Sequence, residues 1–374
     1  MTTLTSGGAP AHHDPAGGFR NPWPSAQPLG GVGDLLRWVV VERLLGRPPR
    51  DGSDGSDGRS GDGRAPTATS GRPPTGPDAM EMRQRFPRVP PSFAAPRAEA
   101  DALTATWVGH STFLIQIGGL NVLTDPVWSE RASPVPFAGP RRWAPPGVAF
   151  DALPPIDVVL VSHDHYDHLD DATVRRLARS HRGAQWIAPL GVARWLRRRG
   201  VASVAEFDWW EGADVALEGV AARATCVPAQ HFSGRRLGRR NDTLWCGWTF
   251  RVGDRAIYYV GDTAYFPDLG DVGRRGGGPF DLVLMPVGAY EPRWFMRRVH
   301  NDPEDAVRAY REIVAGDGDG STPTMAAMHW GTFKLTDEPM DEPPRRTREL
   351  WADAGLPADR LWVPTFGETK KIGV

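Results

Sequence analysis

"IDVVLVSHDHYDHLDD", residues 156–171, runs from an apolar stretch straight into three histidines and four aspartates. Val158–Val161 are four consecutive apolar residues, the pattern of a strand covered on both faces. If the chain stays extended through His165, the two-residue period sets His163 and His165 on one side. Asp167 and His168 then fall in the turn that feeds a helix, "DDATVRRLARSH", with Val174, Leu177 and Ala178 on one face. Imidazole and carboxylate donors gathered at the C-terminal end of a strand suit a divalent metal of the zinc type. An HxHxDH string is too dense, in a chain with ten histidines, for hydrogen-bonded structural residues alone.

One such cluster cannot complete two metal sites, so further donors are required. His231 after "CVPAQ", Asp262 after "IYYVG" and His329 after "MAAM" each follow an apolar run, which predicts the same kind of strand edge. Taken singly, His231 or His329 reads more readily as a hydrogen-bonded structural residue than as a ligand.

The surrounding signals predict a layered α/β body. Gly118-Gly119 marks a hairpin turn between Phe113–Ile117 and Leu120–Thr124. Strand-like runs recur at Ala222–Val227, Trp245–Val252, Ala256–Val260, Leu282–Pro286 and Met325–His329. "VARWLRRRG" reads as a helix closed by Gly200, and "PEDAVRAYREIVA" as one with Asp302 as N-cap and Pro303 in its first turn. Towards the N-terminus, residues 1–18 read as a disordered tail and 19–47 as a segment packing on or near the catalytic body. Within it, "LLRWVVVERLL" is suited either to a bilayer surface or to packing on that body. Residues 48–78 are a Gly/Asp/Pro-rich flexible linker, 79–97 a connecting segment, and 98–374 the catalytic domain.

Bulk properties exclude several classes. A chain of 374 residues with 40% hydrophobic content can bury a substantial core. A formal net charge of −1 gives no basic field for nucleic acid. Two cysteines, Cys226 and Cys246, make no disulfide framework and point to a reducing compartment. With no secretion signal and no run of eighteen apolar residues, the expectation is a cytoplasmic protein. Peripheral contact with the inner face of the membrane, and oligomerisation, stay open.

HxHxDH followed by a separate His, an Asp and a last His resembles the metallo-β-lactamase superfamily. A tighter set of phrases, including "WVGHST", "LTDPVWSERASP", "PAQHFSGR", "YVGDTAYFP", "GAYEPRWFM" and "HWGTF", resembles the N-acyl-phosphatidylethanolamine-hydrolysing phospholipase D group and its bacterial relatives. The resemblance implies a four-layer αββα sandwich holding two Zn2+ ions. One ion would be held by His163, His165 and His231, the other by Asp167, His168 and His329, with Asp262 bridging both. It further implies attack by a hydroxide shared between the ions on a phosphodiester, with Asp262, Asp167 and His300 in the catalytic set. His300 would hold a phosphate oxygen or protonate the leaving group, or else cap the helix at Pro303. Tyr290 and Glu291 are candidate substrate-pocket residues, and Trp294, Phe295 and Met296 candidate walls of an acyl groove. His110 and Asp125 are candidate outer partners of the ligand imidazoles, or turn caps. Four arginines in "FSGRRLGRRND" would meet a phosphate or line a solvated loop. His12, His13 and His181 read as incidental.

The expected function is hydrolysis of an N-acylated phospholipid to N-acylethanolamine and phosphatidic acid. The alternative is a hydrolase of a small lactone or phosphodiester metabolite on the same scaffold, since metal ligands do not fix the substrate. A metal-binding protein without turnover is disfavoured by the complete donor set.

Overall fold

The computed structural model describes residues 10–23, 86–217, 219–235, 240–318 and 320–373. The segment expected to carry the membrane-suited run, and the linker at 48–78, lie outside them. Fourteen strands form two seven-stranded sheets among the described residues. The first sheet contains β1 (Leu103–Gly109), β2 (Thr112–Ile117), β3 (Leu120–Thr124), β4 (Val158–Leu160), β5 (Gln185–Pro189), β6 (Ser203–Phe207) and, at its other edge, β14 (Thr369–Lys371), in the order β14-β1-β2-β3-β4-β5-β6. The second contains β7 (Gly212–Leu217), β8 (Val220–Val227), β9 (Gly247–Val252), β10 (Arg255–Tyr259), β11 (Leu282–Pro286), β12 (Thr324–Met328) and β13 (Leu361–Trp362), paired in that sequence.

Side-chain alternation explains the layering. Leu114, Leu123, Val159 and Trp186 are cross-strand partners from β2 to β5 and all face one cluster. Helices α1 (Asp171–Ser180) and α2 (Ala193–Arg197) cover that face with Val174, Leu177 and Leu196. Their alternating neighbours Ile115, Val122, Val158 and Leu160 face the second sheet instead. The second sheet is covered outside by α3 (Leu269–Arg275), α5 (Pro303–Asp317) and α6 (Glu342–Asp353), while the short α4 (Arg293–Met296) leads into His300. Two sheets between two helical layers give the αββα sandwich, whose central strands are apolar on both faces for that reason.

Local signals are read where expected. Gly118 and Gly119 have φ of 60° and 78°, which suits a two-residue turn with both central residues left-handed. Asp302 caps α5 by accepting from the Asp305 N–H at 2.9 Å. One expectation fails: β4 stops at Leu160, so His163 and His165 lie in irregular chain beyond it and are not brought together by strand alternation. A second concerns the tail. Residues 10–18 form a compact turn in which His12 is buried, because Asp208 and Trp209 give its imidazole a partner on each side. Neither His12 nor His13 is incidental. Among the described residues, no helix is long and apolar enough to cross a membrane.

Candidate metal centre

β1 and β3 run in the same direction as β4, and β8 runs with β10 and β12. Residues that follow these strands therefore emerge along one edge. His110 follows β1, Asp125 follows β3, and the His163–His168 segment follows β4. From the second sheet come His231 beyond β8, Asp262 beyond β10 and His329 after β12. The seam between the sheets thus collects donors from both.

Their inward atoms sit at coordination spacing. His165 Nδ1 is 2.9 Å from His163 Nε2 and 3.2 Å from His231 Nε2. In a second group, His168 Nε2 and His329 Nε2 are 3.2 Å apart, each 3.5 Å from Asp167 Oδ2. Asp262 Oδ2 faces both groups, 3.1 Å from His168 and His329 Nε2 and 3.8 Å from His163 and His231 Nε2. Ligand atoms about 2.1 Å from a tetrahedral zinc lie about 3.4 Å from one another, so these separations are edges a cation fits. Five ring nitrogens and two carboxylate oxygens are crowded together in this buried seam.

Outer partners fix which nitrogens face inward. His231 Nδ1 donates to the Val299 carbonyl at 2.8 Å, and His168 Nδ1 donates to Asp125 Oδ2 at 2.6 Å. Ser162 Oγ donates to Asp125 and so accepts from His163 Nδ1 at 2.8 Å. When neutral, each of these imidazoles carries its lone pair on Nε2, the state a metal ligand needs. Asp262 Oδ1 is buried with no hydrogen-bond partner among the described residues. That orphaned oxygen, beside three pinned imidazoles, fits divalent cations.

Protonation follows from burial and charge. Burial pushes His163 well below the ordinary imidazole value, and holds His165 at about 3 and His231 at about 4. Burial acts the same way on His168 and His329, but Asp262 and Asp167 outweigh it, taking His168 well up and His329 to about 9. Burial would raise both carboxyls; the facing imidazoles hold Asp167 and Asp262 well below the usual range. The metal-free site is therefore a set of ion pairs flanked by neutral imidazoles.

Of the outer residues, His110 Nε2 bonds Asp167 Oδ2 at 2.9 Å. Asp125 is a hub, accepting from the Ser162 N–H at 2.7 Å, from His168, from Ser162 Oγ and from the Tyr259 hydroxyl. His110, Asp125 and His329 all have left-handed backbone, φ 56°, 27° and 65°, uncommon for non-glycine residues and concentrated here.

A cavity of about 250 Å³ opens on these groups, lined by His165, Asp167, Asp262 and His300 on its polar side. Phe232, Phe295, Met296, Val299 and Leu335 line the rest, with Arg240 at its side. His300 Nδ1 is 4.0 Å from Asp262 Oδ2, and burial pushes its imidazole well below its usual value. A larger cavity, about 530 Å³, lies beside Asp164, Tyr166, Trp195 and Arg235, but none of the seven donors lines it.

Tyr290 and Glu291 do not line the 250 Å³ cavity, which corrects their expected pocket role. The Glu338 carboxylate accepts from the Ala289 and Glu291 N–H groups at 2.8 and 3.0 Å, fixing a turn with Ala289 at φ 65°. That turn presents Ala289 to the cavity and sends the Tyr290 hydroxyl to Glu342 on α6, at 2.7 Å. Glu291 folds back to accept from the Arg293 N–H at 3.0 Å. Phe295 and Met296 line the cavity and Trp294 does not. Sequence reading missed Ser162, Tyr259 and Phe232. The adjacency of Ser162 and Phe232 to ligand-type histidines was the available signal.

A family model for a β-lactamase superfamily domain matches residues 120–330. An uncharacterized protein of Mycobacterium tuberculosis is 44% identical over 265 residues, covering 70% of this chain and 68% of that protein. N-acyl-phosphatidylethanolamine-hydrolyzing phospholipase D 1 of Caenorhabditis elegans is 39% identical over 255 residues, covering 66% of this chain and 69% of its own. A solved metallo hydrolase from Ignicoccus hospitalis superposes with a TM-score of 0.55 at 19% identity, covering 73% of this chain and 99% of the other.

Proposed function

The chain belongs to the β-lactamase superfamily and is a metal-dependent hydrolase on that fold, and from that premise we propose that it is a dinuclear zinc phosphodiesterase of phospholipase D type. Its substrate would be an N-acylated phosphatidylethanolamine, cleaved to N-acylethanolamine and phosphatidic acid. His163, His165 and His231 would hold one ion and Asp167, His168 and His329 the other, with Asp262 shared. The ions, when bound, would supply a Lewis acid for a phosphoryl oxygen and lower the pKa of water towards neutrality.

The observation that carries the substrate class is the make-up of the cavity over the donors. Phe232, Phe295, Met296, Val299 and Leu335 offer an apolar wall, and Arg240 beside Phe232 offers a cation at its edge. An apolar wall next to a guanidinium suits a phosphate carrying a hydrocarbon tail. About 250 Å³ accommodates the head group and the first part of a chain, not a whole acyl chain. Burial pushes the His300 imidazole well below its usual value, which suits an N–H that would hold a phosphate oxygen rather than a proton to be delivered. Asp262 and Asp167 stay ionised across the neutral range and keep the donor set anionic.

Incubating the zinc-loaded chain with N-acylated phosphatidylethanolamine vesicles tests this reading. Equal yields of N-acylethanolamine and phosphatidic acid are expected, with Arg240→Ala raising KM more than it lowers kcat. Turnover of a small lactone or soluble phosphodiester with none of the lipid would overturn it.

A further inference from the structure

Residues 10–23 form a strap held at Asp208, Asn241 and Asp268, with Asn21 between these anchors reaching His231. At its start one carboxylate clasps two adjacent imidazoles: His12 Nε2 lies 2.5 Å from Asp208 Oδ1 and His13 Nε2 2.7 Å from Oδ2. The His12 ring stacks on Trp209 at 4.3 Å, and His13 meets Phe19 edge-on at 5.1 Å. The strap then doubles back, with the Asp14 N–H bonded to the Gly18 carbonyl and the Arg20 N–H to the His12 carbonyl. Gly18 has φ +81°, and a Cβ there would stand 2.4 Å from the Asn241 carbonyl oxygen, so only glycine allows the approach. Phe19 N–H bonds that same oxygen at 2.9 Å. Beyond it, Trp23 Nε1 reaches Asp268 Oδ2 at 2.6 Å and its ring packs on Phe266.

Between those anchors Asn21 Nδ2 donates to the backbone carbonyl of His231 at 2.8 Å. His231 lies past the end of β8, outside any strand ladder. The preceding residue, Gln230, is bridged to Ala264; Nδ1 to Val299 sets the His231 ring, and Asn21 adds the bond to the His231 carbonyl itself. No described strap hydrogen bond reaches Asp167, His168 or His329.

We infer that Asn21 is a positioning residue for the metal position built from His163, His165 and His231, held in place by the strap's clasp on Asp208 and its seat on Asn241. The inference rests on the ligand assignment proposed above and adds an asymmetry to it: loosening the strap weakens one ion and spares the other.

Zinc titration of the full chain against a metallochromic indicator, giving two dissociation constants, tests it. Asn21→Asp replaces the donating amide with an acceptor of the same size, so two oxygens face each other. One dissociation constant should rise about tenfold, the scale seen when an outer partner of a ligand is lost, while the other and the far-UV dichroism stay at the wild-type values. Gly18→Ala lifts the strap from Asn241 and should produce the same one-sided change. Both constants unchanged in both variants, or both rising together, would overturn the inference. His231→Ala separates the two layers. Loss of one ion there with wild-type binding in the strap variants removes the inference alone; wild-type binding by His231→Ala removes the ligand assignment as well.

Discussion

Asp125→Asn isolates the outermost layer of the site, because it changes one oxygen and one charge while leaving every proposed ligand in place. The carboxylate is fully buried and accepts four hydrogen bonds. Three converge on Oδ2, from His168 Nδ1, Ser162 Oγ and the Tyr259 hydroxyl; the Ser162 N–H takes Oδ1. With the amide oxygen in the Oδ2 place, three charge-assisted bonds become neutral ones, at about 1 kcal/mol each. The amide NH2 then meets the Ser162 N–H donor to donor, and an unsatisfied buried N–H adds about 1–3 kcal/mol. The expected loss of folding free energy in the metal-free chain is about 4–6 kcal/mol. His168 also loses the anion that orients it, so zinc affinity should fall about 10–100-fold. Urea unfolding followed by tryptophan fluorescence reads the first quantity, and indicator competition the second. A variant that unfolds at the wild-type urea concentration and binds both ions unchanged would show that the hub neither supports the fold nor orients His168.

Three further outcomes follow from the same geometry. Metal-free stability should peak near pH 6.5. His165 at about 3 and His231 at about 4 lie below the unfolded value of about 6.5, so their contribution is present above 6.5 and lost as pH falls towards 4; His329, raised to about 9, contributes fully below 6.5 and loses about 3 kcal/mol as pH rises through 9. Chemical unfolding at pH 5, 6.5 and 9 reads it, and a flat profile refutes it. His300→Ala should lower kcat about 100-fold, the scale of one lost donor to a developing oxyanion, with two ions still bound by elemental analysis; loss of metal would make it a ligand instead. Gly288→Ala should displace His329, since a Cβ there would lie 2.1 Å from its carbonyl oxygen, and metal analysis should find one ion fewer than in the wild type.

Much of the site was legible because its donors cluster in sequence or follow apolar runs. His163, His165, Asp167 and His168 announce themselves by density, and His231, Asp262 and His329 by their place after strand-like runs. The reason His163 and His165 meet was not legible: β4 ends at Leu160, and the chain beyond it is shaped by Asp125, Ser162 and Tyr259. Tyr290 and Glu291 were misread because a turn inverts which side chains face the cavity, and the turn is set by Glu338, 47 residues downstream of Glu291. The strap was missed for a related reason. Its composition is polar and glycine-rich, and its order comes from Asp208, 196 positions away from His12. Strands β6 and β7, whose runs are short and mixed, gave too little periodicity to read. The hairpin at Gly118-Gly119 and the capped helix at Pro303 depend on near neighbours only, and those were plain.

The seam between the sheets also sets an order of events during synthesis. Proposed donors come from both halves of the sandwich, and the last in sequence, His329, follows β12 of the second sheet. A ribosome must make both sheets before a complete pair of cation nests can exist. On the proposed assignment, a product cut short before β12 would lack that donor, so competence arrives in one step, when the second sheet closes on the first.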